Sequence, residues 1–258
     1  MSATTGYFIA GSSWLHRRNP LTKVLALALI LLSAFLLPAV VLVGLVVIII
    51  AALRSADLLR PTLRAMRIPA LLLLSILVVN SLFFPGATDK LLTVGPLSIS
   101  REGLTFGLVS AGRVLVTFLG SVAFLFTTLA DDMLETLIAR GASHRISFVV
   151  LSAVQMVPRM QERAGSILEA QQSRGLSLEG SPVRRIRALV PLIGPVLLGS
   201  LVDVRERTFA LEARGFGARP GRTAYRVVAD PPIDRWLRLL VVLGCLGVVV
   251  IAVTGVLR

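Results

Sequence analysis

The chain has 258 residues, of which 55% are hydrophobic and 16% charged, with a formal net charge of +13. That composition is too apolar for a soluble domain of this length, and uncharged runs of 15 residues or more point to an integral membrane protein. The basic balance comes from 25 arginines and only two lysines, Lys23 and Lys90. The arginines flank apolar runs and form no basic, aromatic-interleaved patch, so they fit the positive-inside rule and argue against nucleic acid. One cysteine, Cys245, and two distant histidines, His16 and His144, give neither a disulfide nor a metal site.

The first 20 residues are polar and end in His16-Arg-Arg-Asn-Pro-Leu-Thr-Lys23. The apolar stretch that follows continues to Leu53 with no small-x-small cleavage site, so it is read as retained rather than as a signal peptide. It is too long for one crossing of a hydrocarbon core about 30 Å thick. Pro38 lies near its middle, and two short crossings at about 21–37 and 39–53 fit better than one tilted helix. Arg17, Arg18 and Lys23 precede the pair, and Arg54, Arg60, Arg64 and Arg67 follow it. An even number of crossings puts both clusters, and the N-terminus, in the cytoplasm.

Residues 68–84 form the third predicted crossing, ended by Pro85-Gly86, and 87–103 reads as an outside loop whose charges cancel. The fourth crossing covers 104–129. Gly103, Gly107 and Ala111 recur at four-residue spacing on it, a small-residue face that lets a neighbouring helix come close. Arg113 lies inside this crossing, where a charge costs about 2.5–3.5 kcal/mol or more, so it needs a carbonyl, a lipid, another subunit or a wet cavity.

Residues 130–234 hold 14 arginines, 11 acids and no charge-free 20-mer, yet 146–157 and 188–202 are strongly apolar. Such mixed helices lie along a membrane surface, apolar faces inward and arginines toward water. Gly217–Pro232 reads as a loop. Residues 235–258 contain the last crossing, anchored by Arg235, Trp236 and Arg238. The predicted fold is therefore all-α and polytopic. It has about five transmembrane helices, an N-terminal bundle over 1–129, a cytoplasmic or interfacial region over 130–234, and a last helix over 235–258.

Within the middle region the chain says nearly the same thing twice. Helical patterns end in Ser173-Arg174-Gly175-Leu176 and, forty residues later, in Ala213-Arg214-Gly215-Phe216. Glycine just past a helix takes a positive φ without a Cβ clash, so each arginine sits in the last turn and projects outward. An arginine at a helix end can enter a groove and form paired hydrogen bonds with a carboxylate. A third copy, Ala139-Arg140-Gly141, follows only a short run and reads as a chance match.

No phosphate-binding G-x-x-x-x-G-K-[ST] loop, H-E-x-x-H or G-x-S-x-G is present, so the chain is read as non-catalytic and without cofactors. Acids are missing from the crossings, which weakens a proton-coupled transporter. A permease binding its own substrate in the bundle is the alternative reading, with Arg113 its sole candidate.

The doubled motif resembles the Ala-Arg-Gly signature of the transmembrane T-component of energy-coupling factor transporters. The segment Asn19-Pro20-Leu21-Thr22-Lys23 resembles that family's N-terminal Asp-Pro-Arg-x-Lys box, with Asn19 in place of the usual Asp, and Arg113 falls where the family often has an arginine. The resemblance covers nearly the whole chain. It implies a multi-pass subunit of the bacterial cytoplasmic membrane that bridges a substrate-binding membrane S-component and two cytosolic ATPases. Such transporters import vitamins or transition-metal ions. Carried over, Ser173, Arg174, Gly175, Ala213, Arg214 and Gly215 would contact the ATPases. Asn19, Pro20, Lys23 and Arg113 would be structural or partner contacts.

Overall fold

The computed structural model describes residues 8–11, 13–85, 90–94, 97–176, 181–216 and 230–254. The structure is mostly helical and divides into two compact units, Met1–Thr136 with Val228–Arg258, and Leu137–Val227.

In the first unit, α1 (Pro20–Leu36) begins with Asn19, whose side chain accepts the Leu21 amide, and with proline at its first position. It stops at Leu37, which is extended because the residue before a proline avoids the helical region. α2 (Ala39–Ser55) starts directly after Pro38, so the break at Pro38 falls where the sequence placed it. α2 ends in a left-handed turn at Asp57 (φ 57°), and α3 (Leu59–Ala65) follows, a short helix inside the stretch read only as a basic flank. α4 (Arg67–Phe83) leaves α3 at a 59° bend.

The segment predicted as an outside loop contains an antiparallel hairpin, β1 (Lys90–Val94) and β2 (Leu97–Ser100), which departs from a wholly helical fold. It escaped the sequence reading because strands of five and four residues give too short an alternation to register. Ser100 then caps α5 (Arg101–Thr127) by accepting the Gly103 amide, three residues ahead of the expected start. α6 (Ala130–Ile138) follows, and α9 (Pro232–Thr254) completes this unit.

α5 and α9 are each long and apolar enough to cross a membrane, and α3 with α4 qualifies as a bent pair. α1 and α2 have 17 residues each, about 25 Å at 1.5 Å per residue, shorter than a typical hydrocarbon core. α5 is the centre of the unit. Val116, Leu119, Val122 and Phe126 from it pack with Ala34, Leu42, Ile49 and Leu53 of α1 and α2. The small-residue face meets α4: a Cβ on Gly103 would lie 2.4 Å from the Asn80 carbonyl, and one on Gly107 3.3 Å from the Leu77 carbonyl.

The second unit holds α7 (His144–Ser173) and α8 (Pro182–Ala213), connected beyond α8 by residues outside the described set, which include most of the predicted loop 217–232. Pro158 lies inside α7, and Pro191 and Pro195 inside α8. Large apolar side chains such as Val149, Val157, Ile193, Leu198 and Phe209 stay exposed along both. Bare apolar faces of that extent belong against lipid or another protein.

Candidate functional site

The two arginine-bearing helix ends close in the same way. In α7 the Gly175 amide donates to the Gln172 carbonyl at 2.9 Å and the Leu176 amide to Gln171 at 3.0 Å, with Gly175 at φ 96°. In α8 the Gly215 amide donates to Glu212 and the Phe216 amide to Leu211, both at 2.9 Å, with Gly215 at φ 72°. This is the crossed pair of bonds of a Schellman stop, which needs a left-handed residue and so favours glycine. Ser173, Arg174 and Gly175 are exposed, as are Ala213, Arg214 and Gly215, while Leu176 and Phe216 tuck partly under. Each guanidinium is thus held at the rim of a rigid helix and presented to solvent.

The third copy also closes this way, with Gly141 at φ 97° donating to Ile138, and Ala142 donating to Leu137. Closing geometry alone therefore does not distinguish the pair. Helix length does: α6 has 9 residues, against 30 in α7 and 32 in α8.

Contacts within the second unit set α7 and α8 antiparallel. Phe148, early in α7, stacks on Phe216 past the end of α8, ring centroids 4.7 Å apart. Arg163 pairs with Asp203 through both nitrogens, Nη1 to Oδ2 at 2.6 Å and Nη2 to Oδ1 at 2.8 Å. Gly199 leaves room for that arginine, since a Cβ there would lie 2.9 Å from its Nη1. The Arg214 tip consequently lies beside the start of α7 and the Arg174 tip at its far end, about 40 Å away along the helix.

Arg163 and Asp203 are separated by 40 residues, the same offset as Arg174 and Arg214. They occupy equivalent places in the repeat, so the helices cross at matched positions through opposite charges. Hydrogen bonding to Arg163 holds the Asp203 carboxyl below the usual carboxylate range, and the same bond raises Arg163. A groove beside the crossing is lined by Arg159, Arg207 and Glu206 as well. The sequence reading missed this pair, although the repeat offset was the signal that locates it.

In the other unit the N-terminal box is a clasp. Asp234, fully buried at the start of α9, accepts the Asn19 amide at 2.8 Å and Arg18 Nη1 at 3.2 Å. Lys23 Nζ donates to the Thr127 carbonyl at 2.6 Å, closing the last turn of α5, and to the His16 carbonyl at 3.4 Å. Pro20, at the first turn of α1, is buried between these contacts. The acid that Asn19 lacks is supplied from the opposite end of the chain, which no local motif announces. Arg113 is half-buried in the middle of α5, and its Nε has no partner among the described residues. The structure places it in a different compact unit from the two tips, as it does Asn19, Pro20 and Lys23.

Comparison with known proteins then decides the family. A family model described as a cobalt transport protein, CbiQ, matches residues 11–225. The chain belongs to this family. Its relatives include the energy-coupling factor transporter transmembrane protein EcfT of Heliobacterium modesticaldum, 32% identical over 235 residues, 86% of this chain and 87% of that protein. EcfT of Thermanaerovibrio acidaminovorans is 30% identical over 257 residues, 95% of this chain and 93% of that protein. EcfT of Exiguobacterium sibiricum is 28% identical over 263 residues, covering 97% and 98%. Family membership and the apolar helices together make the chain a membrane-embedded T-component of an energy-coupling factor transporter.

Proposed function

We propose that the chain is the non-catalytic coupling subunit of an ATP-driven importer of a micronutrient, a vitamin or a transition-metal ion. Two cytosolic ATPases dock on Arg174 and Arg214, and a membrane S-component carries the substrate. The observation that carries this reading is the pair of long antiparallel helices with matching exposed arginine stops at opposite ends. Two motor subunits related by a two-fold axis need two such handles, one each, and a single helix end would serve only one.

The physics of the handle is that of an anchor residue. A guanidinium delivered by a rigid helix loses little conformational freedom on docking, and its fork matches a carboxylate in a partner groove. The Arg163–Asp203 crossing ties the two levers together, so displacement of one tip is passed to the other helix rather than absorbed. The exposed apolar faces of α7 and α8 are the surface offered to lipid and to the S-component.

In the topology proposed with this function, residues 1–129 form a bundle of four crossings, with α1 and α2 as short ones. Residues 130–234 carry the coupling helices, and 235–258 make the fifth crossing. The positive-inside rule puts the N-terminus in the cytoplasm of a bacterial cell.

The test is the double substitution Arg174→Glu with Arg214→Glu. Losing the arginine of a buried charge pair costs about 2–5 kcal/mol, so co-purification with the ATPases and substrate uptake both disappear. Retention of both activities by the double variant would overturn the proposal. The unpaired Nε of Arg113 favours a second reading, a permease with its own substrate site in the bundle. Saturable binding of vitamin or metal ion by the purified chain alone, lost in Arg113→Gln, would establish that instead.

A further inference from the structure

α5 is long and apolar enough to cross a membrane, and Arg113 sits almost at its midpoint, about 18 Å from Arg101 and about 21 Å from Thr127 at 1.5 Å per residue. Among the described residues nothing answers its charge: the guanidinium has neither a hydrogen bond nor an ion pair. Nε is covered, while the two terminal nitrogens reach the surface of a residue that stays partly exposed. A cation at that depth is costly and is kept where a partner group meets it.

The face of α5 that carries Arg113 opens between two neighbours. Gly120 packs on Leu27 and Ile30 of α1, and Gly103 and Gly107 pack on Asn80 and Leu77 of α4. At about 100° per residue, Arg113 lies in the sector between those two lines of contact. Ser110 and Thr117, a turn away on either side, share the sector and are small enough for another helix to come close. Phe106, two turns away in the same sector, is 51% exposed, so no described element closes over it.

Three occupants of that sector fail. A lipid phosphate stays at the membrane surface, beyond the reach of a side chain at the midpoint. A second copy of the chain brings no acid to this depth. α1, α2 and α4 contain neither Asp nor Glu, and Glu102 of α5 and Asp234 of α9 stand in first turns, Asp234 fully buried. A small anionic substrate needs several converging donors, and the other charged residues of these helices lie within two turns of an end.

We propose that Arg113 pairs with an aspartate or glutamate on a transmembrane helix of the S-component, which docks along α5 between α1 and α4. This rests on the coupling-subunit reading and adds to it a contact separate from the tips: Arg174 and Arg214 hold the ATPases, and Arg113 holds the membrane partner. The terminal nitrogens form a fork that matches a carboxylate, and in hydrocarbon no water competes for it. A helix without an acid at that depth leaves the guanidinium unpaired, so the contact also discriminates among membrane partners.

The experiment uses the assembled transporter in lipid nanodiscs, with the S-component that co-purifies with it identified by mass spectrometry. Fluorescence energy transfer between the labelled S-component and the chain reads their affinity. Arg113→Gln should weaken S-component binding about thirtyfold or more, the effect of truncating one member of a buried charge pair, and leave ATPase co-purification unchanged. Arg174→Glu with Arg214→Glu should do the reverse. Loss of the ATPases in that variant, with S-component affinity unchanged in Arg113→Gln, overturns this contact alone and leaves the coupling role standing. Where Arg113→Gln fails to fold, the unaltered chain serves: each acid inside the S-component's crossings is replaced by its amide, and one such change should give the same loss. Arg113→Asp, combined with arginine in place of that acid, should regain at least about tenfold. An S-component with no acid inside its crossings, or affinity within about threefold of wild type in all these variants, overturns the proposal. So does saturable binding of the transported substrate by the purified chain alone, lost in Arg113→Gln, which would make Arg113 a substrate ligand.

Discussion

Replacing Asp234 by alanine isolates the clasp that ties the first and last helices of the bundle. The carboxylate is fully buried and accepts two hydrogen bonds, from the Asn19 amide at 2.8 Å and from Arg18 at 3.2 Å. The first is the larger loss. It leaves a backbone N–H buried without an acceptor, at about 1–3 kcal/mol. The second concerns an arginine whose side chain is 27% exposed, so water replaces much of what is lost and the cost is about 0–1 kcal/mol. The expected total is about 1–4 kcal/mol. For a protein of this size that shifts the melting midpoint by roughly 2–16 °C, read by differential scanning fluorimetry in detergent. Asp234→Asn keeps one carbonyl oxygen for the Asn19 amide and should recover more than half of the loss. Arg18→Met should cost far less than Asp234→Ala. If Asp234→Ala melts within about 1 °C of the parent, or Arg18→Met costs as much, the amide is not the principal partner and the account is wrong.

The remaining predictions concern the helix ends and the packing. Gly103→Val should destabilise by at least about 1–3 kcal/mol, because its Cβ meets the fixed Asn80 carbonyl at 2.4 Å, and thermal melting reads it directly. Gly175→Val and Gly215→Val keep both arginines but force a branched residue into the left-handed region, at about 1–2 kcal/mol each. Both should weaken ATPase co-purification while leaving the expression level of the chain unchanged. Asp57→Gly relieves the same conformational cost where no glycine is present, and should raise stability by up to about 1 kcal/mol in the same melt. Because Asp203 titrates below its ordinary range of 3.8 when folded, the crossing contributes above that pH and is lost as acid protonates the carboxyl. Spin labels on α7 and α8 should therefore hold their separation at neutral pH and broaden in acid, whereas Asp203→Asn should be broad at both.

Local chemistry explains which parts of this fold were visible in the chain alone. Pro38, Asn19 with Pro20, and the glycines after Arg174 and Arg214 act on their own neighbours, and their consequences appear where the sequence puts them. The glycine face on α5 likewise announces a close neighbour, and α4 is there. What stayed hidden depends on residues far apart in the chain. The Asp234 clasp spans 216 residues to Arg18, and nothing about a lone aspartate before an apolar run says where it points. The hairpin at Lys90–Ser100 rests on strand pairing too short for periodicity to show. α3 was masked by its own arginines, which read as a topological flank and are also good helix formers.

The crossing of α7 and α8 carries one more implication. A repeated helix pair that met through the same residue on both sides would set two like charges face to face. Here the matched positions carry arginine on one side and aspartate on the other, and the crossing is a bond. That difference makes the two helices non-interchangeable. One lever ends in serine, arginine, glycine and leucine, the other in alanine, arginine, glycine and phenylalanine, and only the second is braced by Phe148. The two ends of the helix pair are therefore chemically unequal, and under the proposed function each ATPase would meet a different tip.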